Sequence, residues 1–221
     1  MSATGFSTRY RTKGARVMIK WLIIFGCILF PALLRAQNPP VLKGWDEAVV
    51  KRANTAMDAD FMNQEEKKVV LYMNLARTDG SLFANTLLKA WLKDKTKTRY
   101  TRSLIRDLGK TSGLPLLEPR KDLFEIAAGH AVRSGRRGTT GHQGFDKRFE
   151  PVLGTYQMAG ENCAYGYNKA EDIVIGLLID EGIRDLGHRK NILKPEFNAV
   201  GVAIRPHKKY NYNCVMDFGK K

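Results

Sequence analysis

Apolar residues recur three and four positions apart in several segments of the chain, which is the spacing of amphipathic helices. Residues 45–58 fit a short first helix, and "MNQEEKKVVLYMNLARTDG" fits a stronger second one. In this second segment Asn63 and Glu66 have the spacing of a capping box, and Asp79-Gly80 is a stop signal. The pattern therefore predicts a helix that begins after Asn63 and ends near Asp79.

Three more segments carry an apolar stripe at helical spacing. They are "SLFANTLLKAWLKD", "LFEIAAGHAVRSG" and "NKAEDIVIGLLIDEG". His130 belongs to the stripe of the second segment, and this favours a partly buried packing histidine over a catalytic one. The three stripes consist of Ala84, Leu87, Leu88 and Trp91; of Leu123, Ile126, Ala127 and His130; and of Ala170, Ile173, Val174 and Leu177.

The last third of the chain has the short apolar runs and turn residues of strands. Strands are predicted for "GENCAYG", "AVGVAIR" and "YNYNCVMDFG", with "PHKKYN" as the turn between the last two. Residues 94–112 are basic and polar and predict a solvated connection with a short helical turn. Residues 134–157, rich in Gly, Arg and Thr, predict a loop. Helices followed by strands that flank one more helix indicate an α+β domain with a mostly antiparallel sheet.

The N-terminus carries a targeting pattern and not a structural one. A basic segment, an apolar run of roughly fourteen residues and a small residue at Ala36 predict a secretory signal peptide over residues 1–36. Met18 is an alternative start. Residues 37–61 then form a proline-bearing linker and a helical extension. The localisation expected from this pattern is secreted or periplasmic.

The chain is basic, with a formal charge of +15. Without residues 1–36, the remaining 31 basic and 22 acidic residues give +9. Such a charge can draw the protein to anionic lipid or polysaccharide at a cell surface, or it can simply keep the domain soluble. Nucleic acid is not an expected partner, because no nucleic-acid-binding motif accompanies the charge.

Two cysteines, Cys163 and Cys214, remain once the signal peptide is removed. An even number of cysteines in a compartment that permits disulfides favours a bridge between them. The alternative is two buried free thiols on neighbouring strands, since sequence does not supply the Cα separation that a disulfide requires.

Several ionisable residues occupy positions that packing does not demand. His142 lies in a glycine-flanked loop, Glu161 opens a strand, Asp180 and Glu181 end a helix, and His188 follows a glycine. Two imidazoles and two carboxylates suit a divalent cation such as zinc, with His142 and His188 as the metal-binding histidines. The same groups can also transfer protons. The H-E-x-x-H and G-x-S-x-G signatures of known hydrolases are absent from the sequence.

The choice between the two neighbouring acids stays open. At 100° per residue, Glu181 falls near the centre of the apolar stripe of its helix and Asp180 lies on the flank, so periodicity favours Glu181 as the inward acid. Acids at a helix C-terminus oppose the helix dipole, which calls for a compensating partner.

Read together, several segments resemble bacterial members of the CAP superfamily, also called SCP domains, which is named for cysteine-rich secretory proteins, antigen 5 and pathogenesis-related proteins. They are "EEKKVVLYMNLARTDGSLFA", "LPLLEPRKDLFEIAAGHA", "GH", "GENCAYG", "GHRKNIL" and "FNAVGVAI", in this order. The resemblance covers roughly residues 62–219. It implies an α-β-α sandwich in which a small, mostly antiparallel sheet lies between helical layers, with a central cleft lined by two histidines and two acids.

By this resemblance, His142 and His188 match the two cleft histidines, and Glu161 matches the glutamate of the Gly-Glu-Asn strand. His130 falls outside the set. For the second acid, alignment of apolar positions favours Asp180, against the periodicity argument for Glu181. The tryptophan that the family usually carries in this helix is absent from "IVIGLLIDEG".

Three functions are compatible with the sequence. The leading hypothesis is a secreted domain whose cleft binds a divalent metal or a small or lipidic ligand, since no credible nucleophile accompanies the histidines. A metal-dependent hydrolase is the alternative, in which His142, His188 and one carboxylate hold zinc while Glu161 is the general base. The third is a basic cell-surface interaction module, recognised by its charge. Whether the protein is an enzyme stays open.

Overall fold

The computed structural model describes residues 42–221. The predicted signal peptide, the alternative start at Met18 and the beginning of the linker lie outside the described residues. Within the described part, no helix is both long and apolar enough to cross a membrane.

Most of the predicted helices are present, and their ends follow the signals in the sequence. Helix α2 begins after Asn63, whose side chain accepts from the backbone N–H of Glu66, and the Glu66 carboxylate accepts from the Asn63 N–H at 2.7 Å. The predicted capping box is therefore confirmed. The helices are α1 Glu47–Ala53, α2 Gln64–Thr78, α3 Gly80–Phe83, α4 Lys89–Trp91, α5 Arg99–Leu108, α6 Lys121–Arg137, α7 Phe145–Phe149, α8 Ala170–Ile179 and α9 Gly187–Ile192, with a π-helical turn at Ala84–Leu88 and a 3₁₀ turn at Glu150–Val152.

Two segments contain more helix than the sequence predicts. Helix α5 lies in the basic stretch 94–112, where Leu104 and Leu108 turn inward and are fully buried. Helix α7 lies in the segment 134–157, with Phe149 buried at its end. Helix α7 contains two phenylalanines over five residues, too short a signal to be separated from a loop. Helix α5 does carry a helical signal, since Leu104 and Leu108 are four residues apart, but the basic and polar residues around them favoured a solvated connection.

The sheet has four strands in the order β1-β3-β4-β2. The three predicted strands are β2 Met158–Tyr165, β3 Ala199–His207 and β4 Asn211–Lys220, all paired antiparallel. The two-residue strand β1, Glu118–Pro119, was not predicted and pairs parallel with β3. Strand β2 lies at one edge of the sheet, and this edge carries Glu161.

Helices cover both faces of the sheet, which confirms the predicted α-β-α sandwich. On one face, Ala127 and Ala131 of α6 pack against Cys163, Ala203 and Val215. On the other face, the main core joins strand residues such as Val202 and Met216 to α2 and α8. Helix α6 passes so close to β3 that a Cβ on Gly201 would meet the backbone of Leu123 and Phe124.

The described part of the N-terminal extension packs on the domain. Trp45, Val50, Ala53 and Ala56 are buried and belong to the main hydrophobic core. Residues 45–56 therefore complete the core instead of hanging free from it.

A buried arginine fixes the position of helix α9. The Arg77 guanidinium donates to the carbonyl oxygens of Pro115, Ile192, Lys194 and Phe197 at 2.6–2.9 Å. Four carbonyl acceptors satisfy a cation that is fully buried. They tie α2 to the C-terminal end of α9, the helix that begins at Gly187-His188.

The predicted disulfide is wrong. Cys163 and Cys214 are both buried free thiols, as in the alternative that the sequence left open. In the register of the sheet, Cys163 pairs with Val215 and Cys214 pairs with Ala164. Because side chains alternate along a strand, the two thiols point to opposite faces of the sheet. Cys163 packs against α6, whereas Cys214 lies in the main core.

Candidate functional site

Edge strand β2 divides the candidate residues between its two faces. Glu161, Cys163 and Tyr165 project toward the layer of α6, and Asn162 and Ala164 project toward the layer of α8. A histidine–acid pair lies on each side of this strand.

The first pair joins His142 to Glu161. His142 Nδ1 lies 2.8 Å from Glu161 Oε1, and Arg148 donates to both carboxylate oxygens at 2.7 and 3.0 Å. The Glu161 side chain is 1% exposed, while that of His142 is 50% exposed. The pair thus has a buried acid and an imidazole that reaches solvent.

The electrostatics of the first pair favour a charged Glu161. Burial by itself raises the pKa of Glu161, but the hydrogen bonds from His142 and Arg148, with the charge of Arg148, outweigh burial and lower this pKa below its ordinary value. Asp217 is the Cα partner of Glu161 on β4. Burial and the neighbouring Glu161 charge raise the pKa of Asp217, so the negative charge of the two acids resides on Glu161.

The side chains of Tyr165, His130 and His207 hold the loop that carries His142. The Gly141 N–H donates to the Tyr165 hydroxyl at 2.8 Å, and the Gly141 carbonyl lies 2.9 Å from His130 Nε2. His207 Nε2 lies 3.0 Å from the Thr139 carbonyl. Helix α6 and strands β2 and β3 therefore all position this loop. His130 is buried, as predicted for a packing residue.

The second pair joins His188 to Asp180. His188 Nδ1 lies 2.7 Å from Asp180 Oδ1. The other oxygen, Oδ2, accepts from the backbone N–H groups of His188 and Arg189 at 3.0 and 3.3 Å. The Asp180 side chain is 1% exposed and that of His188 is 23% exposed. Asp180 lies at the C-terminal end of α8, where an acid opposes the helix dipole. Its hydrogen bonds with the first turn of α9 and with the His188 ring compensate for this position.

Asp180, and not Glu181, is the acid beside His188. Helix α8 ends at Ile179, and Asp180 adopts the left-handed conformation with φ of 57°. The 100° rotation per residue therefore stops before Asp180, which is why helical periodicity favoured the wrong neighbour. Glu181 is exposed and accepts from the Thr98 hydroxyl at 2.6 Å.

Two asparagines connect the pairs across the edge strand. Asn162 Nδ2 donates to the His188 carbonyl at 2.9 Å. Asn191 Nδ2 donates to Asn162 Oδ1 at 2.9 Å and to the Glu161 carbonyl at 3.3 Å. The backbone at Glu161 and the backbone at His188 therefore share one hydrogen-bond network.

Arg189 anchors the segment between α8 and α9. It is buried, and its guanidinium donates to the carbonyls of Leu178, Ile179 and Tyr100 and to the Asp107 carboxylate. Helix α5, which is longer than the short helical turn predicted for this segment, supplies Asp107. The orientation of His188 depends on this packing.

A cavity of about 410 Å³ opens beside the second pair. Its polar wall contains Asp180, Glu181 and His188. Its apolar wall comes from α8, the segment around Trp91 and the end of β2. The apolar and aromatic lining consists of Trp91, Leu92, Ala164, Tyr165, Tyr167, Ile173, Gly176, Leu177, Ile179 and Ile183. This size and lining are typical of a small-molecule site.

The predicted metal ligands do not form a single cluster in the structure. The Nδ1 atoms of His142 and His188 are each taken by a different acid. Within residues 42–221, the group of three potential ligands whose donor atoms lie within 4.8 Å of one another is His130, Glu161 and Cys163. A site that needs both His142 and His188 therefore stays a prediction.

Sequence reasoning missed Arg148 and Asp217. Arg148 lies in the segment predicted as a loop, where nothing in the pattern separates it from other basic residues. Asp217 did carry a signal, because it is an acid inside a run of strand residues, at a position that alternation places with the buried Val215.

The fold and the two histidine–acid pairs define an α-β-α sandwich of the CAP class. The model of the cysteine-rich secretory protein family, CAP, matches residues 72–218. The chain therefore belongs to this family, as the sequence motifs predicted. No curated protein matches the chain.

Several solved structures are similar to this chain. An extracellular protein with an SCP domain from Bacillus anthracis is 26% identical over 49% of this chain and 35% of its own length, with a TM-score of 0.41. An outer surface protein from Borrelia burgdorferi is 20% identical over 55% of this chain and 89% of its own, with a TM-score of 0.42. Venom allergen-like protein 4 from Schistosoma mansoni is 15% identical over 72% and 89%, with a TM-score of 0.46. This chain spans about a third of the length of the Bacillus protein.

Proposed function

We propose that this protein binds a small amphipathic molecule in the cavity beside Asp180 and His188. The observation that carries the proposal is an apolar cavity of about 410 Å³ with an oriented histidine–carboxylate pair in its wall. An apolar lining with a few placed polar groups gives affinity through burial of the ligand and orientation through hydrogen bonds.

The polar end of the ligand is proposed to meet His188. Asp180 fixes the ring through Nδ1, so Nε2 is the ring nitrogen that remains for a ligand. A hydroxyl or carboxyl head can hydrogen-bond to this nitrogen, while the chain of the ligand lies along Leu177 and Trp91. The polar groups of this wall thus suit an alcohol or a fatty acid of moderate length.

Gly176 supports the proposal that a ligand occupies the cavity. It lies within helix α8 and lines the cavity, and a Cβ added there would meet no atom within 4 Å. Glycine within a helix costs about 1 kcal/mol relative to alanine. The helix thus carries this cost at a position where a larger side chain would project into the cavity.

The state of Cys163 argues against covalent catalysis by a thiol. Burial, followed by the charge of Glu161, raises the pKa of Cys163 well above its ordinary value. A protonated, buried thiol is a poor nucleophile. Cys163 therefore does not supply the nucleophile that would favour covalent catalysis beside His142.

We infer a secreted location on two grounds. The sequence predicts a signal peptide over residues 1–36, and similar proteins are described as extracellular in Bacillus anthracis and as an outer surface protein in Borrelia burgdorferi. An anionic cell-surface component is a further proposed partner, on the ground of the +9 charge. Binding to such a component is expected to weaken as salt is added.

The test uses decanol and decanoate as probes and intrinsic tryptophan fluorescence as the signal, since Trp91 lies in the cavity wall. We expect saturable binding to the natural sequence, unchanged or tighter binding to Gly176→Ala, and at least about tenfold weaker binding to Gly176→Leu, whose side chain fills the cavity. Gly176→Ala is the matched control, since both variants remove the same glycine. Equal affinity in both variants, or no binding in any of them, would overturn the proposal.

A further inference from the structure

We infer that His130, Glu161 and Cys163 form a site for a thiophilic divalent cation, with zinc as the metal that suits them. The donor atoms of the three side chains lie within 4.8 Å of one another, and all three residues are buried. This set lacks His188 and contains a thiol, so it differs from the two-histidine set that the sequence predicts. It is also independent of the cavity proposed to bind a ligand.

The three ligands come from rigid elements. Glu161 and Cys163 are two residues apart on β2 and therefore share one face of the strand. Helix α6 crosses this face and brings His130 from its buried stripe. Ligands held by a strand and a helix need little ordering when a metal binds.

The spacing is close to what zinc requires. With bonds of about 2.0–2.3 Å to nitrogen, oxygen and sulfur, neighbouring ligand atoms of a tetrahedral site lie roughly 3.3–3.8 Å apart. Donor atoms within 4.8 Å of one another reach this arrangement by shifts of about 1 Å. A nitrogen, a carboxylate oxygen and a sulfur suit zinc better than magnesium or calcium, which prefer oxygen ligands alone.

Two further donors border the cluster, and the first, His142 Nδ1, would exchange its hydrogen bond to Glu161 Oε1 for the metal. His142 Nδ1 lies 3.8 Å from Cys163 Sγ, and the Gly141 carbonyl oxygen lies 3.8 Å from the same sulfur. The half-exposed His142 also gives an ion a path from solvent. Glu161 can keep its bond from Arg148 through Oε2 while Oε1 turns toward the metal.

A second observation at this site is the unpartnered carboxyl group of Asp217. Asp217 is fully buried on β4 opposite Glu161, and neither of its carboxylate oxygens has a hydrogen-bond partner among the described residues. An unpartnered buried carboxyl group is costly. A divalent ion held by Glu161 and Cys163 would bring positive charge to this pair of acids, which Arg148 serves on the Glu161 side alone.

The test uses Co²⁺ as a spectroscopic substitute for zinc on the purified, reduced chain, with Cys27→Ser in every variant. A cobalt–thiolate bond gives a charge-transfer band in the near ultraviolet, which ligation by nitrogen and oxygen does not. We expect this band in the parent and in the matched control Cys214→Ser, whose thiol lies on the opposite face of the sheet. We expect its loss in Cys163→Ser and Cys163→Ala.

Affinity adds a second measurement. His130→Ala is expected to weaken Co²⁺ binding by more than the roughly 10- to 100-fold typical of outer-shell partners, whereas His188→Ala leaves it unchanged. Far-ultraviolet circular dichroism shows which variants are folded. The inference is overturned if no Co²⁺ binds, if the band survives loss of Cys163, or if binding depends on His188 and not on Cys163. None of these outcomes affects the titration of the cavity with decanol.

Discussion

The two histidine–acid pairs have nearly the same geometry but are held by different chemistry. In both, Nδ1 meets a carboxylate that is 1% exposed, at 2.8 Å for His142 and 2.7 Å for His188. Glu161 is held by the charged side chain of Arg148, whereas Asp180 is held by backbone amides at the start of α9. A buried carboxylate can thus be stabilised by a counter-charge or by local backbone geometry, and these two solutions respond differently to mutation.

The surroundings of the pairs also differ. His142 is 50% exposed and stands beside Cys163, and its partner Glu161 pairs with the buried Asp217 on β4. His188 is 23% exposed and lines an apolar cavity. The metal site proposed at the first pair and the ligand site proposed at the second use different side chains, so the two proposals can be tested separately.

The largest expected effect comes from removing the counter-charge of the first pair. Arg148→Met leaves the Glu161 carboxylate buried without its cation, and breaking such a pair from one side costs about 3–5 kcal/mol. We expect a loss of this size in the free energy of unfolding, measured by urea denaturation at neutral pH.

The matched control removes both charges. Arg148→Met combined with Glu161→Gln is expected to recover most of the stability, because no uncompensated charge remains. A single Arg148→Met variant as stable as the parent would show that Arg148 does not hold Glu161.

A smaller effect is expected at the second pair, where backbone amides hold the acid. Asp180→Ala removes a capping acceptor, a change that costs about 0.5–2 kcal/mol, and places alanine in the left-handed region at about 1–2 kcal/mol more. Asp180→Asn is expected to cost less, since asparagine keeps an acceptor oxygen and tolerates this conformation. Urea denaturation measures both changes.

The neighbouring acid provides the control. Glu181→Ala is expected to change the free energy of unfolding by no more than about 0.5 kcal/mol, because Glu181 is exposed. If Glu181→Ala cost more than Asp180→Ala, the assignment of Asp180 to the second pair would be contradicted.

The smallest effect concerns the thiols on the two faces of the sheet. Because Cys163 and Cys214 are free, a reducing agent is expected to leave the thermal unfolding midpoint unchanged, whereas loss of a disulfide typically costs 2–5 kcal/mol. Calorimetry with and without reductant makes the comparison. A lower unfolding midpoint in reductant would contradict this prediction and support a disulfide between Cys163 and Cys214.

Local signals in the sequence predicted much of the fold. The capping box at Asn63 and Glu66, the apolar stripes of α6 and α8 and the alternation in β3 and β4 each depend on neighbouring residues. Helix α5 was predicted only as a short helical turn, because its basic and polar residues outweighed the i, i+4 spacing of Leu104 and Leu108. Helix α7 was not predicted, because the burial of Phe149 depends on distant elements. The same holds for Arg148, whose role depends on contact with Glu161.

The sequence by itself determined the family, the strands and the identity of His142, Glu161 and His188 as candidate residues, because motifs and periodicity are properties of the chain. Tertiary structure decided how these residues group. It placed Asp180 beside His188 by ending α8 at Ile179, since left-handed backbone breaks the helical rotation. It also separated Cys163 from Cys214 and brought Cys163 to His130, because the register of a sheet and the crossing of a helix depend on residues far apart in sequence.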